Sequence, residues 1–126
     1  ALYIYAAVEN EAKECALEAL GVTVVVMPNE HGTVDLPAMM KDLARREINE
    51  LHVEAGSKLT GSLVREGLVD ELLVYLAPKL VGEGHGMLQW GPLAELSQAL
   101  PLDFTAVDRV GRDVRLVARV AGRDQF

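Results

Sequence analysis

Apolar residues follow two rhythms along this chain. LYIYAA (2–7), VTVVVM (22–27), ELHVEA (50–55) and ELLVYLAP (71–78) are short runs rich in β-branched or aliphatic residues, which predicts strands. VTVVVM lies between Gly21 and Pro28, and such bounded runs suit strands covered on both faces of a parallel sheet. Between the strands, apolar residues recur at helical spacing. NEAKECALEAL (10–20) aligns Ala12, Ala16, Leu17 and Leu20, with Asn10 as N-cap, Glu11 at the positive end and Gly21 past the end. The same face is expected to bury Cys15. Asp35 caps a helix predicted over Leu36–Glu47, with Pro37 in its first turn and Met39, Met40 and Leu43 turned inward. A third helix is predicted over Ser57–Glu66, with Leu59, Leu63 and Val64 inward and Gly67 closing it.

PNEHGTVD (28–35) and KLVGEGHGM (79–87) read as loops, and PLAELSQAL (92–100) as a short helix. DFTAVDRVGRDVRLVARV (103–120) predicts two strands turning at Gly111–Arg112, and AGRDQF (121–126) a tail. Strand–helix alternation followed by a hairpin predicts an α/β fold. It would have a mostly parallel sheet flanked by helices and a C-terminal antiparallel hairpin at one edge.

Bulk properties narrow the classes. The 126 residues suit one domain, and 50% hydrophobic with 25% charged residues suits a globular chain. One cysteine excludes an internal disulfide framework and suits a reducing, cytoplasmic setting. His31, His52 and His85 are too scattered for a zinc cluster with Cys15. A net charge of −7 argues against a nucleic-acid partner. No apolar run reaches the roughly 20 residues of a spanning helix, so no membrane role is expected. The chain opens inside an apolar run, ALYIYAAV, so upstream sequence is expected.

Ligands of open α/β sheets bind beyond the carboxyl ends of the strands. Three loops are expected there, after Met27, at Ala55–Gly56 and after Pro78. The second, in VEAGSKLTGSLVREG (53–67), is the best candidate. Gly56 allows close approach to a phosphate or a left-handed backbone. Ser57 and the free N–H groups of the helix start would face an anion, Lys58 could add charge, and Gly61 permits close approach one turn later. The alternative is an ordinary strand–glycine–helix turn, since the stretch fits neither Walker A nor G-x-G-x-x-G. Glu54 ends an expected buried strand, where a carboxylate is either paired internally or aimed at a ligand. His52, two residues earlier, would share its face, as part of a dyad or as a structural histidine. Asp70 and Glu71 read as a solvated start or a turn contact. No nucleophile has a base at recognisable spacing.

LHVEAGSKLTGSLVREGLVDELLVYLAPKLVGEG resembles the C-terminal reductase domain of the bifunctional riboflavin-biosynthesis deaminase/reductase family, RibD. The matching elements are Val53–Gly56, Leu59–Gly61, Gly67–Glu71, Leu72–Leu76 and Ala77–Gly82, with INELHVEAG before them and VGRDVRLVARV after them. The resemblance implies a dihydrofolate-reductase-like fold and NADPH-dependent reduction of 5-amino-6-(5-phosphoribosylamino)uracil to its ribitylamino product. It places Glu54 at the pyrimidine phosphate substrate, and Gly56, Ser57, Lys58, Leu59, Thr60, Gly61 and Ser62 along NADPH. Lys58 stands where the family often has a small polar residue. Residues 1–126 would then be one domain, the C-terminal part of the reductase domain. The deaminase half and the upstream cofactor and phosphate contacts are expected to be absent, so the chain alone is expected not to turn over. A homodimer is expected. The alternatives are another pterin or pyrimidine reductase of this fold, or a non-catalytic dimerisation module pairing through a sheet edge.

Overall fold

The computed structural model describes residues 1–123; the last three residues of the predicted tail, 124–126, lie outside the described residues. The chain divides into two compact units, Ala1–His52 and Val53–Phe126.

In the first unit, β1 (Leu2–Ala6) and β2 (Val22–Val26) pair in parallel, with Leu2 opposite Val22 and Ala6 opposite Val26. Their connection carries α1 (Glu11–Glu18), which starts where the Asn10 side chain accepts from the Lys13 N–H at 3.1 Å. Gly21 takes a φ of 81° in the turn that returns the chain to β2. Cys15 is exposed, not buried as expected. The helix is short and alanine-rich, and it buries no residue, so its apolar stripe is too thin to draw the thiol in. α2 (Leu36–Arg45) starts at Asp35, whose carboxylate accepts from the Ala38 N–H at 2.8 Å. Leu36 and Leu43 are buried on it and Met39 and Met40 half-buried, as the spacing predicts. The helix stops two residues before the predicted end because Glu47 turns left-handed, at a φ of 65°. Its N–H donates to Ala44 and that of Ile48 to Leu43, which satisfies the last carbonyls.

In the second unit, α3 (Ser57–Arg65) precedes β3 (Glu71–Leu76), β4 (Leu102–Val110) and β5 (Asp113–Val120). The sheet order is β3-β5-β4, antiparallel throughout, with β4 and β5 joined at Gly111–Arg112 as predicted. The predicted short helix is one 3-10 turn, Leu96–Gln98. The core comprises Leu63 and Val64 of α3 with Ala118 and Val120 of the central strand. α3 ends on Gly67, at a φ of 67°, with Gly67 N–H bonded to Val64 and Leu68 N–H to Leu63.

The fold is α/β, with parallel and antiparallel pairing. Among the described residues, parallel pairing is confined to β1 and β2, and β3 joins the hairpin antiparallel. ELHVEA forms no strand, and Leu51 and Val53 are 40% and 43% exposed. An apolar run becomes a strand only when a neighbour takes its N–H and C=O groups, and this one has no ladder partner among the described residues.

Candidate functional site

α3 begins differently from the other two helices. Gly56 is extended, at φ −71° and ψ 162°, and as N-cap it offers no side chain to the first turn. The amides that open any helix have no intrahelical partner, so those of Ser57, Lys58 and Leu59 form a partial positive charge. The first turn holds no acidic residue to neutralise it. A Cβ built on Gly56 would meet nothing within 4 Å. Of the two uses expected for Gly56, close approach is retained, while its backbone is not left-handed. Thr60 closes the turn, its N–H donating to Gly56 at 3.1 Å and its hydroxyl to Ala55 at 3.5 Å.

The other flank of α3 is occupied by the chain itself. The Gln89 N–H donates to the Ser57 carbonyl at 2.9 Å. The Gln89 carbonyl accepts from Nη1 of Arg65, whose Nη2 donates to the Ser62 hydroxyl at 2.9 Å. A Cβ on Gly61 would stand 2.7 Å from the Gln89 carbonyl carbon and 2.9 Å from its nitrogen, inside any real contact. Gly61 is therefore needed for helix-to-loop packing. Lys58 and Leu59 are exposed, Leu59 at 44%, contrary to its predicted inward position. The Leu63–Val64 pair, a turn later, carries the packing instead.

The seven candidate cofactor residues thus divide. Gly56, Ser57 and Lys58 form the open amino end, and Leu59 is exposed beside them. Thr60 closes the turn, and Gly61 and Ser62 face residue 89 or Arg65. Glu54 is exposed on the non-strand stretch before α3, so burial in a strand does not explain its carboxylate. His52 is likewise exposed, and so are His31 and His85. Asp70 is a turn contact: Arg123 donates to its carboxylate at 3.0 Å, to the Val69 carbonyl at 3.2 Å and to the Gly67 carbonyl. No group of three or more possible metal ligands gathers among the described residues.

An apolar cavity of about 320 Å³ lies beside α3, lined by Val64, Leu72, Met87, Trp90, Leu100 and Leu102. The segment that carries Gln89 forms part of its wall, through Met87, Leu88 and Trp90. Sequence reasoning missed Gln89, Arg65 and Arg123. A glycine inside a helix signals close approach, but its partner 28 positions along the chain leaves no local pattern.

Residues 3–116 match the family described as RibD C-terminal domain. The chain is 41% identical over 96 residues to "Riboflavin biosynthesis protein RibD" of Escherichia coli, covering 75% of this chain and 26% of that protein. It is 31% identical over 96 residues to "5-amino-6-(5-phosphoribosylamino)uracil reductase" of Buchnera aphidicola, covering 75% of this chain and 46% of that one. The solved structure of Acinetobacter baumannii RibD (form 2) superposes with a TM-score of 0.79 at 22% identity, over 94% of this chain and 31% of that one. The chain thus spans about a quarter of the Escherichia coli relative's length. Motifs, architecture and relatives agree, and the chain belongs to the RibD C-terminal domain family.

Proposed function

We propose that this chain serves the NADPH-dependent reduction of 5-amino-6-(5-phosphoribosylamino)uracil in riboflavin biosynthesis. The observation that carries the reading is the uncapped amino end of α3 at Gly56, in a chain of this family. Its donors fit a nucleotide phosphate: three orphan amides, the Ser57 hydroxyl and the Lys58 ammonium, with open space at Gly56 for close approach. The cofactor would supply a hydride to C1 of the ribose as the ring C–O bond breaks and its oxygen takes a proton. The chain's own part is to hold and orient. The first turn of α3 binds phosphate, and Glu54, two residues before the N-cap, accepts hydrogen bonds from the pyrimidine.

The test is titration of the 126-residue chain with NADPH, followed by cofactor fluorescence. Saturable binding is expected. Gly56→Val, which fills the open approach, and Lys58→Glu, which reverses a charge, should each weaken it at least about tenfold. Absence of binding by the unaltered chain, or indifference to both substitutions, would sink the reading. Adding the pyrimidine substrate then asks for oxidation of the bound cofactor. The chain alone is expected to bind without turnover, and rapid oxidation would overturn that expectation.

A further inference from the structure

The long connection from β3 to β4 is exposed at both ends and turns inward only near its middle. Its glycine-rich part, around Gly82, Gly84 and His85, is exposed, whereas Leu88 and Trp90 are half-buried. Gly82 and Gly91 both take a positive φ, 80° and 96°, that other residues rarely adopt, and they flank the inner segment. Between them, Gln89 is held on α3 through three contacts. Its N–H bonds to Ser57, its carbonyl to Arg65, and its backbone lies against Gly61 with no room for a methyl group.

Arg65 closes this arrangement. It is the last residue of α3 and reaches back along the helix, one nitrogen on the Gln89 carbonyl and the other on the Ser62 hydroxyl. The two-nitrogen fork suits that double task better than an ammonium, whose donors all sit on one nitrogen. Ser57, at the far end of the same contact, is the first residue after the open N-cap. Resting on the reading of the α3 amino end as the nucleotide site, we propose that Arg65 is a positioning residue for that site. It acts through the Gln89 peptide, without touching the ligand, by locking residues 88–90 along α3 and so fixing the turn at Gly56–Ser57.

Arg65→Met and Arg65→Lys in the 126-residue chain test this, with residue-resolved amide exchange and NADPH titration. Arg65 is exposed, so neither variant removes core. In Arg65→Met, the Gln89 amide should exchange about tenfold faster or more, as should the Thr60 amide that closes the first turn. The β5 amides should stay unchanged. NADPH affinity should fall about fivefold or more, with Arg65→Lys between the two. Unchanged Gln89 and Thr60 exchange would overturn the proposal, as would faster exchange with unchanged NADPH affinity. If the unaltered chain binds no NADPH, the functional reading fails by itself. Coupled acceleration at Gln89 and Thr60 then still supports the lock, and acceleration at Gln89 alone overturns it.

Discussion

Two glycines in one short stretch carry different constraints. Gly56 has open space where its Cβ would be, and its backbone is one that any residue adopts. What it supplies is access. Gly61 is buried against the Gln89 backbone, and what it supplies is contact. Its close approach is made by another part of the chain, with the Gln89 backbone standing where a Cβ would be. Gly61→Ala would put a methyl group into a peptide that cannot swing aside. The expected cost is about 1–3 kcal/mol in urea unfolding, despite alanine's better helix propensity. Loss of amide protection at Gln89 should accompany it. A neutral or stabilising effect would show that residue 89 does not dock on α3.

At the scale of elements, β1 and α2 are joined by a polar cluster that the hydrophobic pattern does not reveal. The Tyr5 hydroxyl donates to Asp42 at 2.7 Å, and Arg46 Nε donates to the same carboxylate oxygen at 2.7 Å. The Arg46 guanidinium also lies 4.5 Å from the centre of the Tyr3 ring. Hydrogen bonds from Arg46 and then Tyr5 hold the Asp42 carboxyl below its ordinary value of 3.8. Desolvation, followed by the bond to Asp42, raises the Tyr5 phenol above its usual range. A carboxyl lowered on folding contributes stability above its unfolded pKa and loses it as pH falls through the folded value. Asp42→Asn should therefore melt a few degrees lower at neutral pH, and the gap to the unaltered chain should narrow once pH falls below 3.8. A gap independent of pH would show that the ionised carboxylate is not what joins the two elements. The same scale explains the missing strand at 50–55. Helices satisfy their backbone within one segment, so α1, α2 and α3 form close to where the periodicity places them. A strand depends on a neighbour that its own residues cannot supply.

For the whole molecule, the net charge of −7 opposes an anionic ligand, so any nucleotide site must overcome the global field with local donors. The α3 amino end is such a concentration of donors. A ligand that binds only the folded chain stabilises it by mass action, by about 2.7 kcal/mol at a free concentration about 100 times its Kd. NADPH should accordingly raise the melting temperature in a concentration-dependent way, and Gly56→Val should remove about half of the rise or more. An equal rise in both proteins would place the binding elsewhere.

By itself the sequence determined the three helices, the positions of all five strands within about two residues, the hairpin turn and the family, although it also predicted a sixth strand, at 50–55, that does not form. These depend on local information: capping side chains, apolar periodicity, and glycines at helix ends and turns. It also determined which stretch to suspect, because three glycines beside small polar residues are unusual between two apolar runs. Only the tertiary structure decided how that stretch divides. Gly61 and Ser62 follow Gly56, Ser57 and Lys58 by only a few positions, but a helix turns successive residues to different sides. One side is open to a ligand, and the other is covered by a peptide from 28 residues beyond Gly61, a contact between distant parts of the chain that no local pattern encodes.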